Sequence, residues 1–177
     1  MPSNRAQILA DVRTSLASIV TPTYEITVAQ VRPWMLAPDE APRNLGVGWF
    51  AGFRAGAEAA AYSHGQVELT MPLTVAAYRF RPLSDWTGAQ IDNGDPATWM
   101  LEQASAALDA IKAALAGPAT HTRGGYAIST MLVRRYDESG MRPADVIEPG
   151  SDVPMVTVAV VSEFTVRYHE PQGVTPP

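Results

Sequence analysis

Cysteine is absent from this 177-residue chain. That excludes disulfides, thiolate metal sites and cysteine nucleophiles. Lysine is almost absent: Lys112 is the single one among thirteen basic residues, and the twelve arginines are scattered singly apart from the pair Arg134-Arg135. With a net charge of −5 and a pI near 5.1, the chain lacks the basic stripe of a general nucleic-acid binder. No run approaches the roughly 20 apolar residues of a membrane-spanning helix, so no membrane association is expected. Arg5, Asp11 and Arg13 interrupt the apolar pattern of the first twenty residues, which therefore do not form a signal-peptide core. The expectation is a protein of the cytoplasm, or of a particle assembled there.

The usual signatures of catalysis are missing as well. His64, His121 and His169 have no second histidine or carboxylate at metal-ligand spacing within a helix. The carboxylate pairs Asp39-Glu40, Asp92 with Asp95, and Asp137-Glu138 fall in turns or at a helix start. Glycosidase-type chemistry needs two carboxyls facing one another across a cleft, and spacing alone does not supply that. The glycines of Gly46-x-Gly48-x-x-x-Gly52 superficially resemble a dinucleotide loop, but the spacing is wrong and no helix opens behind them. Neither a nucleophile elbow nor a phosphate-binding loop is present. No catalytic residue, cofactor site or metal site is expected, and the protein is not expected to be an enzyme.

What the chain does have is periodicity. Apolar residues make up 46% of it, and a domain of this size can bury about 70% of the surface its unfolded chain exposes. Ile8, Val12, Leu16 and Ile19 recur at helical spacing and predict a helix over residues 5–20 with Ser3 or Asn4 as cap, stopped by Thr21-Pro22. Residues 24–32 alternate as a strand. Pro33, Pro38 and Pro42 then punctuate a loop. Residues 45–54 read as a short, irregular, glycine-rich strand, and the alanine-rich stretch 55–65 as a connection able to form a helical turn.

Over 66–81, Val67, Leu69, Met71, Leu73 and Val75 alternate with Glu68, Thr70 and Thr74, which predicts a long strand. Pro72 cannot donate to a ladder, so the strand should be bulged or lie at a sheet edge there. Asp95-Pro96 opens a second helix, with Asp as cap and Pro at the first helical position. Leu101, Ala104, Leu108, Ile111 and Leu115 form its apolar stripe, and Gly117-Pro118 ends it. A strand near 126–136 and a turn at Asp137–Gly140 follow. The strand over 153–168 is the clearest of all, with Val156, Val158, Val160, Phe164, Val166 and Tyr168 on one side and Glu163, Thr165 and Arg167 on the other. The order helix, strands, helix, strands predicts an α+β fold: a mainly antiparallel sheet of four to five strands with two helices on one face. Residues 1–168 form one domain in this reading, and 169–177 an extended tail.

Of the four tryptophans, Trp99 opens the second helix and belongs to the core. Trp34 and Trp86 sit in proline- and glycine-flanked loops, where a tryptophan either packs locally or anchors a partner. Trp34, Trp86, Arg134 and Arg135 are the candidate partner-interface residues.

The overall plan carries a resemblance. An amphipathic helix enters a strand that begins Tyr24-Glu25-Ile26-Thr27-Val28; the long alternating strand Gln66–Arg81, the capped helix Asp95–Leu115 and the closing strand Val153–Tyr168 follow. Across nearly the whole chain this layout resembles the tail terminator, or tail-completion, proteins of long-tailed bacteriophages. The resemblance implies a virion structural protein that forms a ring, commonly of six copies. Such a ring caps the finished tail tube, stops its polymerisation and offers a surface to the neck of the capsid, while DNA passes through the lumen without specific binding. Its partners would be further copies of itself, the tail tube protein and the head–tail connector or neck proteins, with no cofactor, and it would assemble in the host cytoplasm. An acidic chain suits a lumen that must let phosphate slide. Another head–tail connector or neck subunit would show the same layout, and a small-molecule-binding α+β domain is the alternative outside that class.

Overall fold

A computed structural model describes residues 4–20, 31–32, 49–63, 66–116, 126–132, 146–147 and 154–171. Its elements in chain order are α1 (Asn4–Ala17), β1 (Val31–Arg32), β2 (Phe50–Ala55), β3 (Ala59–Ser63), β4 (Gln66–Pro82), a 3-10 turn (Leu83–Asp85), α2 (Gly88–Asp92), α3 (Asp95–Ala116), β5 (Tyr126–Leu132), β6 (Val146–Ile147) and β7 (Pro154–Pro171). The expected α+β class is what the chain adopts.

Two long strands make the sheet. β4 and β7 pair antiparallel along the whole of β4, from Gln66 opposite Pro171 to Pro82 opposite Met155, without a break in register. On the far side of β4 lie β2 and β3, end to end; on the far side of β7 lie β5 and β6. The two-residue β1 adds a parallel strand outside β2. The sheet is thus at most five strands across, in the order β1-β2-β4-β7-β5, and mainly antiparallel. The period-two pattern explains which face is buried. Met71, Leu73, Val75 and Ala77 of β4 and Val156, Val158, Val160, Phe164, Val166 and Tyr168 of β7 are all buried and share one core with Ile8, Val12 and Leu16 of α1 and Ala104 and Ile111 of α3. Both helices therefore cover the same face. The opposite face carries a smaller apolar group, Ala76 and Tyr78 with Phe80, Ala159 and Val161. Burial there raises the Tyr78 phenol above its ordinary pKa.

Pro72 lies in a central strand, not at a sheet edge, and pairs with Thr165 of β7 in unbroken register. The expected bulge is there, but in the neighbouring segment: Ala55 pairs with Leu73 and Ala59 with Thr70, so three residues between β2 and β3 stand opposite two of β4. The Pro72 carbonyl accepts from Gly56 N–H at 2.8 Å. In a strand the carbonyl and amide of one residue point the same way, so the missing donor of Pro72 faces the β2–β3 side. There the partner strand is interrupted: β2 pairs with residues 73–78 and β3 with residues 66–70. The Gly56 carbonyl, which a donor at position 72 would have met, instead accepts from Arg5 Nη2 of α1 at 3.4 Å. The other arm of Arg5 donates to Glu58 Oε1 at 2.9 Å, and the same oxygen accepts from the Tyr168 hydroxyl of β7. Residue 56 must be small: a Cβ there would stand 2.8 Å from Pro72 Cγ.

Residues 55–65 were expected as a connection with a helical turn, yet 59–63 form β3. Alanine favours helix when isolated, but here the hairpin with β4 supplies ladder partners for the whole segment. The strand expected to end at 168 continues to Pro171, because Gln66–Glu68 of β4 extend opposite it; the rest of the tail expected over 169–177 lies outside the described residues. α1 ends at Ala17 rather than at 20, its last turn closing through Ser18 N–H on the Thr14 carbonyl. The cap of α3 is displaced by one residue. The Gly94 carbonyl accepts from Ala97 and Thr98 N–H, so Asp95 lies in the first turn, where its charge still favours the helix N-terminus. Gly94 takes a φ of 79°, the left-handed region natural to glycine, and this links α3 to α2, a short helix opened by a Thr87/Gln90 capping box. The expected strand over 24–32 is described only at Val31–Arg32, that near 126–136 only at Tyr126–Leu132, and the turn at Asp137–Gly140 lies outside the described residues.

The apolar stripe of α3 is also rotated. Met100, Ala104, Ala107, Ile111 and Leu115 are buried, whereas Leu101 is 44% exposed and Leu108 is only partly covered. We expect Ile111→Asp to prevent folding, since an unpaired buried charge costs several kcal/mol against a total of about 5–15. Leu101→Asp, on the exposed side, should stay within about 0.5 kcal/mol of wild type; thermal melts of the two variants check the orientation. Arg5→Ala should cost about 1 kcal/mol through the lost hydrogen bonds. Gly56→Ala should cost roughly 1–3 kcal/mol through overpacking on Pro72. At about 2–4 °C per kcal/mol for a chain of this length, both are measurable as lowered melting temperatures.

Candidate interaction surface

Of the four candidate interface residues, Trp34, Arg134 and Arg135 lie outside the described residues. Trp86 is described, and the structure packs it locally. It follows the 3-10 turn at the end of β4, is 8% exposed, and meets Trp99 of α3 edge to face at 5.5 Å between ring centroids, with 70° between the planes. Such a pair contributes about 0.5–1.5 kcal/mol beyond its buried area.

Two arginines complete the cluster. The inward parity of β4 that begins with Leu69 runs through Val75 and Ala77 to Arg79 and Arg81, so both cations emerge on the helix-covered face. Arg79 is buried and donates to the side-chain oxygen of Gln103, one helical turn beyond Trp99; its guanidinium lies 5.7 Å from the Trp99 ring. Burial, and secondarily the nearby charge of Arg81, lower its pKa below the ordinary arginine value; it remains a cation at neutral pH, as arginine does. Arg81 stacks over Trp86 at 4.2 Å and reaches Trp99 at 5.6 Å. Its Nε donates to Asp85 Oδ2 at 3.1 Å. The side chains of Arg81 and Asp85 are 36% and 46% exposed. Trp86, buried, and Trp99, half-buried, therefore form a platform beneath the partly exposed pair Arg81 and Asp85. Arginine and tryptophan together are typical of binding hot spots, and cation–π contact with Trp86 holds the Arg81 fork in place.

Sequence reasoning singled out Trp86 but missed Arg79, Arg81 and Gln103. The signal was present: in an alternating strand, Arg79 and Arg81 occupy the apolar parity, which charged residues enter only with partners waiting. Trp99 and Gln103, four apart on α3, supply that lining.

Other features are less concentrated. His169, expected in the tail, stands in β7 with Nε2 3.6 Å from Glu68 Oε2, both half exposed. His64 and His121 lie outside the described residues, as do Asp39-Glu40 and Asp137-Glu138. Asp92 is exposed at the end of α2. Among the described residues no three of His, Cys, Asp and Glu are grouped to hold a metal ion, and no helix is long and apolar enough to cross a membrane. An open groove of about 710 Å³ runs along α1, lined by Leu9, Ala10, Arg13, Thr14, Ala17, Ser18 and Phe53. The Thr14 and Ser18 hydroxyls donate back into their own helix, to the carbonyls of Ala10 and Ser15, which leaves Arg13 as its main polar group. A specific small-molecule site has several polar groups converging on the ligand.

No protein-family model matches the chain, and no curated protein matches it either.

Removing the platform and removing the exposed cation should have different consequences. Trp86→Ala should cost about 3–5 kcal/mol, in the range for a buried tryptophan, while Arg81→Ala should cost no more than about 1 kcal/mol. Thermal unfolding distinguishes the two, and leaves Arg81→Ala as the variant to use in any partner-binding measurement.

Proposed function

We propose that this chain is a ring-forming structural subunit of a phage virion, of the tail terminator kind. In this reading six copies cap the end of the tail tube, stop its growth and join the tail to the capsid neck, with DNA passing through the lumen. The observation that carries the reading is the layered plan. An N-terminal helix and a long second helix lie on one face of an antiparallel sheet dominated by the strands Gln66–Pro82 and Pro154–Pro171, in the chain order on which the resemblance rests. The Arg81–Trp86–Trp99 cluster supports it by offering a preorganised contact at the end of the sheet, and the net charge of −5 suits a lumen that does not hold DNA. The groove on α1, with few converging polar groups, favours this reading over a small-molecule-binding domain.

Electron microscopy of the purified protein and of intact particles tests the proposal. Closed rings are expected, and in particles a single ring between tube and neck. A ring elsewhere in the neck would assign the chain to the connector proteins instead. A single copy per particle, or an open filament, would overturn the reading. Arg81→Ala should weaken ring formation while lowering the melting temperature by no more than about 4 °C.

A further inference from the structure

We infer that β3 is a pairing edge for a second copy of this chain, related by a twofold axis through Ala61. This contact is separate from any ring contact, because a twofold contact closes with two copies whereas ring neighbours meet head to tail through different surfaces.

The first observation is that, among the described residues, nothing protects this edge. Proteins blunt exposed strand edges with charges, proline, bulges or covering segments. β3 reads Ala59-Ala60-Ala61-Tyr62-Ser63, with neither charge nor proline. Its register against β4 is continuous, so it has no bulge. Ala59 to Tyr62 are all exposed, Tyr62 at 73%, and among the described residues β3 pairs only with β4.

The second observation is the direction of its hydrogen-bonding groups. The Pro72 carbonyl points toward the β2–β3 side, and β4 runs without a bulge from Gln66 to Pro82. The even-numbered residues of β4 therefore direct their backbone groups to β3. Their partners are Ala59, Ala61 and Ser63, opposite Thr70, Glu68 and Gln66. It follows that Ala60 and Tyr62 direct their amides and carbonyls outward, to the free edge.

An antiparallel pair needs outward residues opposite outward residues. Centring on Ala61 places Ala60 opposite Tyr62 of the partner subunit and Tyr62 opposite Ala60 of the partner subunit. All four outward amides then donate to the four outward carbonyls. Side chains fit equally well: each tyrosine lies across from an alanine, and no like charges face one another. Centring one residue earlier would instead set Tyr62 against Glu58 of the partner subunit, yet Glu58 is already engaged by Arg5 and Tyr168. The contact is small beside the roughly 1,200–2,000 Å² of a stable interface, so it is weak and calls for trapping.

The absence of cysteine makes trapping clean. In this register Ala61 faces Ala61 of the partner subunit as a non-hydrogen-bonded pair, with Cα atoms about 4.5 Å apart, inside the range a disulfide accepts. The two Ala59 residues stand roughly 13 Å apart, beyond it. Under mild oxidation, full-length Ala61→Cys should form a covalent dimer and Ala59→Cys should not. Adding Ala60→Pro to Ala61→Cys removes an outward amide from each copy without removing a donor to β4. It should slow cross-linking by more than about tenfold, with circular dichroism confirming the fold. Equal cross-linking at positions 59 and 61, or none at 61, overturns the inference. Rings seen or not seen by microscopy leave this result unaffected, so the two proposals fail independently.

Discussion

A proline in the middle of the longest central pairing is the constraint around which this fold is arranged. Pro72 cannot donate to a ladder, and a central strand has neighbours on both sides. The missing amide is turned away from β7, which lets β4 and β7 pair without interruption. On the other side the neighbouring strand is divided into β2 and β3, and the three residues between them carry the compensation. Gly56 approaches close enough to donate to the Pro72 carbonyl, and Arg5 reaches from α1 to the carbonyl that Pro72 leaves unmatched. Arg5, Glu58 and Tyr168 then bind the first helix, the strand junction and the last strand together. A local defect in hydrogen bonding thereby becomes a link between the two ends of the chain.

The break has a second consequence. Because β2 stops at Ala55 and β3 begins at Ala59, the sheet edge beyond Pro72 is made by a separate short strand. The β2 end packs Ala51 and Phe53 into the core, whereas Ala59 to Tyr62 of β3 are exposed. The division of one strand into two separates a structural half from a half available for pairing. At the opposite end of β4 the same parity that buries Val75 and Ala77 carries Arg79 and Arg81 to Trp99 and Trp86. One long strand thus presents an uncharged edge at one end and a cation–aromatic cluster at the other. On this strand pair the Ser162 hydroxyl is buried opposite Val75 with no hydrogen-bond partner among the described residues.

Much of the fold was legible in the sequence because it rests on periodicity. Ile8, Val12, Leu16 and Ile19 all point into the core, and the alternation of β4 and β7 places the expected residues on the buried face. Helical and strand periods are local properties, set by backbone geometry, and survive folding unchanged. The interface candidates were less legible. Trp86 was identifiable as unusual, but whether a loop tryptophan packs inward or outward depends on what waits beside it, and Trp99 and Arg81 come from other segments.

The sequence by itself determined the α+β class, the two principal helices, the two long strands and the buried parity of those strands, since these follow from spacing along the chain. Only the tertiary structure decided what depends on neighbours distant in sequence. It rotated the buried stripe of α3 from Leu101 to Met100 and Ala107, because the sheet beneath selects which side of an alanine-rich helix is covered. It made a strand of Ala59–Ser63, because ladder partners on β4 outweigh alanine's preference for helix. It placed Pro72 inside the sheet, because Gly56 and Arg5, sixteen and sixty-seven positions away in sequence, fill the hydrogen-bonding gap that proline opens.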